Sequence, residues 1–146
     1  MIKELHNAGS LPTLEVMMRF AGARQRTIAH NIANFSTPNF VPKDVSVNDF
    51  RAALGEAIDD RRARNGGVSG ELNFGGTREV RPTRGGGLDF RPETHPGGVL
   101  AHDRTAHDLE RTMQDLVENA GVYRAAAEFL RMQTQRLHAA IGERVT

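Results

Sequence analysis

Leu109-Glu110-Arg111-Thr112-Met113-Gln114-Asp115-Leu116-Val117-Glu118-Asn119-Ala120 opens the stretch on which the fold turns, and the pattern runs on through Tyr123, Ala127, Leu130, Thr134 and Leu137 to Ile141. Leu109, Met113, Leu116, Ala120 and their successors advance in alternating steps of four and three, the repeat of a helix that lays one apolar stripe against a neighbour. This predicts a helix over about 105–143, with Thr105 and Asp108 placed as a capping box at its start. Gly121 inside it costs about 1 kcal/mol relative to Ala without demanding a break. Val117, Val122, Ala126 and Phe129 flank the stripe. They widen it beyond what a two-stranded seam uses, so more than one neighbouring helix is expected.

Working back toward the start, a second stripe is formed by Leu14, Met18, Ala21, Gln25, Ile28 and Ile32, followed by Phe35. Ser10, Pro12 and Thr13 supply start signals and Pro38 lies beyond the end, which predicts a helix over 11–34 with one polar member in its stripe, Gln25. At 1.5 Å per residue the two helices would measure roughly 36 Å and about 55–60 Å. Pairing them antiparallel leaves part of the longer one without an intrachain partner, and association with other chains is the simplest way to cover it.

Phe35-Ser36-Thr37-Pro38-Asn39-Phe40-Val41-Pro42 follows the first helix, and its prolines and Ser/Thr/Asn residues favour a turning, extended path. Phe50, Leu54 and Ile58 at four-residue spacing then predict a short helix over 48–62. The region 63–104 holds ten of the fifteen glycines, in runs such as Gly66-Gly67 and Gly85-Gly86-Gly87, together with three prolines. Ordering such a backbone is costly and few side chains repay it, and Leu72-Asn73-Phe74 and Gly87-Leu88-Asp89-Phe90 form small strands only where they pack against a neighbour. The expected fold is therefore all-α: two long amphipathic terminal helices in an antiparallel coiled-coil-like hairpin, with a Gly/Pro/Arg-rich, partly disordered or irregular middle. The expected divisions are a flexible N-terminus over 1–10, the first helix and its corner over 11–47, the short helix over 48–62, an irregular arm over 63–104 and the last helix over 105–146.

Composition narrows the function classes. The formal net charge is +1, from 19 basic and 18 acidic residues, so no large field draws the chain to nucleic acid or anionic lipid. With no Cys there is no disulfide, thiolate metal site or Cys nucleophile. His95, His102 and His107 match no common zinc spacing, and Gly85-Gly86-Gly87 lacks the Lys of a phosphate loop. Arg61, Arg62, Arg64, Arg78, Arg81, Arg84 and Arg91 form an Arg-rich patch without interleaved aromatics to stack bases. The acidic residues show no pair poised across a cleft, and Ser36 and Thr37 have no base beside them. No catalytic residue, cofactor, metal, small-molecule substrate or nucleic acid is expected.

Arg26-Thr27-Ile28-Ala29-His30-Asn31-Ile32-Ala33-Asn34-Phe35-Ser36-Thr37-Pro38-Asn39-Phe40 resembles the N-terminal signature of flagellar rod and hook proteins. In that phrase Asn31, Ile32, Ala33 and Asn34 close the helix, and Thr37, Pro38 and Phe40 form the corner. The resemblance extends through Lys43-Asp44-Val45 and the last helix, and is nearest to the proximal members of the flagellar basal body rod protein family. The family's asparagine-rich entry to the last helix is replaced here by Asp103-Arg104-Thr105-Ala106-His107-Asp108-Leu109. What the resemblance implies is a non-enzymatic structural subunit of the proximal rod, linking the membrane ring to the distal rod by helix packing. It implies partners as well: further copies of itself, other rod subunits, membrane-ring and rod-adaptor proteins, and the flagellar export apparatus. Export would proceed without a cleaved signal, since Met1-Ile2-Lys3-Glu4-Leu5-His6-Asn7 has no apolar run. The expected assembly seam is Leu14, Met18, Ala21, Ile28 and Ile32 with Leu109, Met113, Leu116, Ala120, Tyr123, Leu130, Leu137 and Ile141. Another rod subunit, or a soluble helical adaptor or secretion chaperone, is the competing reading.

Overall fold

A computed structural model describes residues 7–94 and 105–142. Helix α1 (Leu11–Ala33) carries Pro12 in its first turn, where the missing amide proton costs nothing. Helix α2 (Val47–Asn65) is capped by Ser46, whose hydroxyl accepts from the Asp49 amide at 3.2 Å. It is closed by Gly66 in the left-handed conformation, φ 67°. Strands β1 (Val80–Pro82) and β2 (Leu88–Phe90) follow, and helix α3 (Thr105–Gly142) completes the chain.

The expected all-α fold with an irregular middle is overturned. Among the described residues there are three helices, and between α2 and α3 lies an ordered antiparallel hairpin with Val80 opposite Phe90, Arg81 opposite Asp89 and Pro82 opposite Leu88. The glycine run is what makes the hairpin possible. Gly85 and Gly86 sit at its tip, the Gly86 amide donates to the Thr83 carbonyl, and the Gly87 amide donates to the Thr83 hydroxyl, both at 3.0 Å. Thr83 and Gly87 close the loop with a backbone bond of 2.9 Å. Of the irregular arm expected over 63–104, residues 95–104 lie outside the described residues, as does most of the flexible start expected over 1–10.

Apolar contacts explain why so short a hairpin stays ordered. The buried core consists of Phe20 from α1, Val45 before α2, Phe50 and Leu54 from α2, and Phe74 and Val80 from the middle segment. Val16, Met17, Ile58, Leu72, Leu88 and Phe90 pack around it. Phe20 and Phe50 stack with centroids 3.7 Å apart, Phe74 meets Phe50 edge-on at 5.5 Å, and Phe90 reaches Phe20 at 5.8 Å. Burying each such ring contributes roughly 1.5–3 kcal/mol, enough to order a segment whose backbone alone would not be.

Helix α1 thus has two packed faces. Val16, Met17 and Phe20 turn toward α2 and the hairpin, while Ala21, Gln25 and Ile28 turn toward α3, which runs along α1 in the opposite direction. None of the six buried core residues comes from α3.

The lobe is tied together by polar contacts at its edges. Arg61, only 4% exposed, donates to the carbonyls of Asn7, Gly9 and Gly70 at 2.6, 2.6 and 2.9 Å. It pins the entry to α1 against the end of α2. Asp44 and Glu93 exchange two backbone hydrogen bonds of 3.1 Å, joining the segment before α2 to the segment after β2.

Gly76 has φ 82°, and a Cβ there would lie 2.6 Å from the Val80 carbonyl oxygen, whereas a Cβ on Gly75 would meet nothing within 4 Å. Gly76→Ala should therefore lower stability by about 1–3 kcal/mol in urea unfolding, and Gly75→Ala by less than about 1 kcal/mol. Equal effects would show that the hairpin entry is not constrained as described.

Candidate functional site

Two features carry the residues singled out in the sequence: the corner after α1 and the surface of α3. At the corner Asn34 terminates α1, its amide and its side-chain Nδ2 both donating to the His30 carbonyl, at 3.1 and 2.9 Å. The Thr37 amide then donates to the Asn34 carbonyl at 2.9 Å and the Phe40 amide to the Thr37 carbonyl at 3.2 Å, two successive turns. Pro38 forbids continuation of the helix. Asn39, at φ 60°, takes a left-handed step that Asn tolerates better than most residues. The ring of Phe40 meets His30 edge-on at 5.6 Å. Ala33, Thr37 and Pro38 are exposed, while Ile32 is half-buried.

Asn31 holds the returning chain. Its side-chain amide donates to the Lys43 carbonyl at 2.7 Å and its carbonyl oxygen accepts from the Lys43 amide at 3.2 Å, so it pairs with backbone as a strand neighbour would. Two turns earlier on the same face, Arg24 grips Asp44 through Nε at 3.0 Å and Nη2 at 2.7 Å, and its Nη2 lies 3.6 Å from Asp115 on α3. One guanidinium therefore joins α1, the returning segment and α3. Burial alone would lower the affinity of Arg24 for its proton, but Asp44 and Asp115 outweigh this and its pKa is raised. A raised pKa means that the contribution of this cation is complete below the ordinary arginine range and fades only above it, so the junction holds its charge at neutral pH.

Among the described seam residues, Ala21 and Ile28 are buried, and Leu14, Met18, Ile32, Leu109, Leu116, Ala120, Leu130 and Leu137 are half-buried. Met113, Tyr123 and Ile141 are exposed. The residues of α3 that are most buried carry little or no hydrophobic signal: Asn119 and Ala126. The amide of Asn119 donates to the Ala21 carbonyl at 2.8 Å and to Gln25 Oε1 at 2.7 Å, so the polar member of the first stripe has a polar partner across the seam. Sequence reasoning missed Asp44 and Asn119 as positioning residues, and placed Asn31 in the corner without its hold on Lys43. The signal available was the spacing of Phe20, Arg24, Thr27 and Asn31, a second helical face whose lower half is polar.

The Arg-rich patch does not form one surface. Arg61 is buried, Arg78 pairs with Glu93 at 2.6 Å, Arg91 with Asp89 at 3.2 Å and Arg62 with Asp59 at 3.4 Å. No group of three His, Asp or Glu residues able to hold a metal occurs among the described residues, and His95 and His102 lie outside them. No helix of the described residues is long and apolar enough to cross a membrane. A cleft of about 290 Å³ opens where α3 passes the start of α1, lined chiefly by Leu11, Leu130, Leu137 and Ile141, with Glu15 and His138 at its edge.

The described residues thus form a helix pair with an organised corner and apolar side chains turned outward on α3. The flagellar basal body rod protein FlgB of Borrelia hermsii is 34% identical to this chain over 104 residues, which cover 68% of this chain and 71% of that protein. The chain belongs to this family of flagellar basal body rod proteins, a structural and non-catalytic class. No protein-family model matches the chain, and no solved structure matches it.

If Asn31 holds the corner, Asn31→Ala should cost about 1–3 kcal/mol in urea unfolding, through two lost hydrogen bonds from a buried amide. Thr37→Ala, at an exposed side chain within the same motif, should cost less than about 0.5 kcal/mol. A reversal of that order would remove the clamp from the account.

Proposed function

We propose that this rod subunit works in the proximal rod, linking the membrane ring to the distal rod by packing the outward sides of α3 against neighbouring subunits. The observation that carries the reading is apolar surface on α3 that its own chain leaves uncovered. Met113 and Val117, one turn apart, are 49% and 71% exposed, and Phe129, on another flank with Val122, is 52% exposed. With 38 residues against 23, α3 also exceeds α1 by 15 residues, or about 22 Å. Its last turns line, with Leu11 and Glu15 at the start of α1, the cleft that includes Leu137 and Ile141.

In this reading the lobe built on Phe20 and Phe50 stays with its own subunit, and α3 supplies the contacts between subunits. The expected assembly residues divide accordingly. Leu14, Met18, Ala21, Ile28 and Ile32 seat α3 on its own α1, Met113 is available to neighbours, and Tyr123 beside Gly22 and Ile141 beside Leu11 remain partly exposed. Further copies of the chain, other rod subunits, and membrane-ring and rod-adaptor proteins are the proposed partners. The family supports a location in the periplasmic rod, and delivery by the flagellar export apparatus belongs to the proposal.

Val117 is the sharpest point at which to test it, because its exposure lets a charge be added without disturbing the fold. Val117→Asp should keep stability within about 0.5 kcal/mol of the parent while abolishing motility and recovery of the chain in purified basal bodies. Arg51→Asp, on the exposed side of α2, should leave both intact. Normal incorporation of the Val117→Asp chain would remove α3's outer flank from the assembly.

A further inference from the structure

Helix α3 carries apolar side chains around much of its circumference. Leu116, Ala120 and Leu130 are half-buried, whereas Met113, Val117, Val122 and Phe129 are exposed. Apolar side chains therefore lie on the outward flanks of α3 as well as on the side seated on α1. The seated side differs from the others in its polar groups.

Asn119 is 4% exposed, and its one amide nitrogen meets two acceptors on α1, the Ala21 carbonyl and Gln25 Oε1. One turn earlier on the same side of α3, Asp115 lies 3.6 Å from Arg24. The pair Asp115 and Asn119 thus faces Ala21, Arg24 and Gln25, a single turn of α1. A slip of α3 by one heptad, about 10.5 Å, would carry both away from these partners. Rotation by one residue would aim the Asn119 amide away from both acceptors and set a buried donor against apolar neighbours. A polar residue in an apolar seam is known as a device that fixes register and partner at some cost in stability.

We propose that Asn119, with Gln25 as its side-chain partner, is the specificity-determining contact that fixes the register and rotation of α3 on α1. It thereby sets which apolar residues of α3 face outward. The inference goes beyond the assembly reading and concerns the isolated chain, so its failure is distinguishable from a failure of rod incorporation.

The chain offers a clean reporter. Tyr123 is its one tyrosine, and its ring lies 3.3 Å from the position a Cβ on Gly22 would occupy. A nuclear Overhauser cross-peak between the Tyr123 ring and the Gly22 α-protons therefore reads the register directly in the full chain. In Asn119→Leu the urea midpoint should hold or rise, while the cross-peak weakens and a second set of Tyr123 ring resonances appears. Gln25→Leu should show the same doubling in weaker form, because the Ala21 carbonyl remains. A single set of resonances with the cross-peak at parental intensity in Asn119→Leu would overturn the proposal. So would an unfolded Asn119→Leu chain, which would make the contact an element of stability instead of specificity.

Discussion

The stack of Phe20 on Phe50, with ring centroids 3.7 Å apart, anchors the middle of the chain. Phe20 lies on the side of α1 away from α3, so α1 must be covered twice: once by α2 and the hairpin, once by α3. The first covering brings Phe74, Val80 and Phe90 into contact with residues distant in sequence. Those contacts give a glycine-rich segment the apolar burial it cannot generate locally. Without Phe20 the hairpin would have three residues per strand and little to rest on, which is too small a unit to hold by itself in water.

The second covering is looser and more polar. Between α1 and α3, buried side chains include Ala21, Ile28 and Ala126 together with Arg24 and Asn119. Arg24 reaches from Asp44 to Asp115, so the corner, α1 and α3 share one charged junction. The corner fixes the path of the returning chain, the lobe gives α1 a rigid backing, and α3 lies on that backing with much of its own apolar surface still uncovered.

Some of this was legible in the sequence, for physical reasons that differ from element to element. Helix ends are local: Pro12 at the start of α1 and Asn34 through Pro38 at its end mark limits that no distant contact sets. The corner phrase from Asn31 to Phe40 was also local, and it pointed to the family that the relative from Borrelia hermsii shows. The hairpin was legible only as short pieces such as Gly87 to Phe90 that need a neighbour to become strands, because glycine and proline content reports the entropic cost of order and is silent about the remote Phe20 that offsets it. The backing face of α1 was hidden because Arg24 and Asn31 continue the spacing of Phe20 with polar side chains. On α3 the four-three pattern drew attention to Met113, which is exposed, whereas Asn119 is buried against α1 and Ala126, placed on the flank, is buried as well. An apolar-periodicity reading overlooks a polar residue such as Asn119.

The most direct measurement of the account is a cryo-electron microscopy map of basal bodies from the source cells at side-chain detail. The account predicts this chain in the proximal rod, with Phe20 against its own Phe50, Asn119 against its own Gln25, and Met113, Val117 and Phe129 covered by neighbouring subunits. A rod in which these three side chains stay bare, or in which α3 has left its own α1, would contradict it.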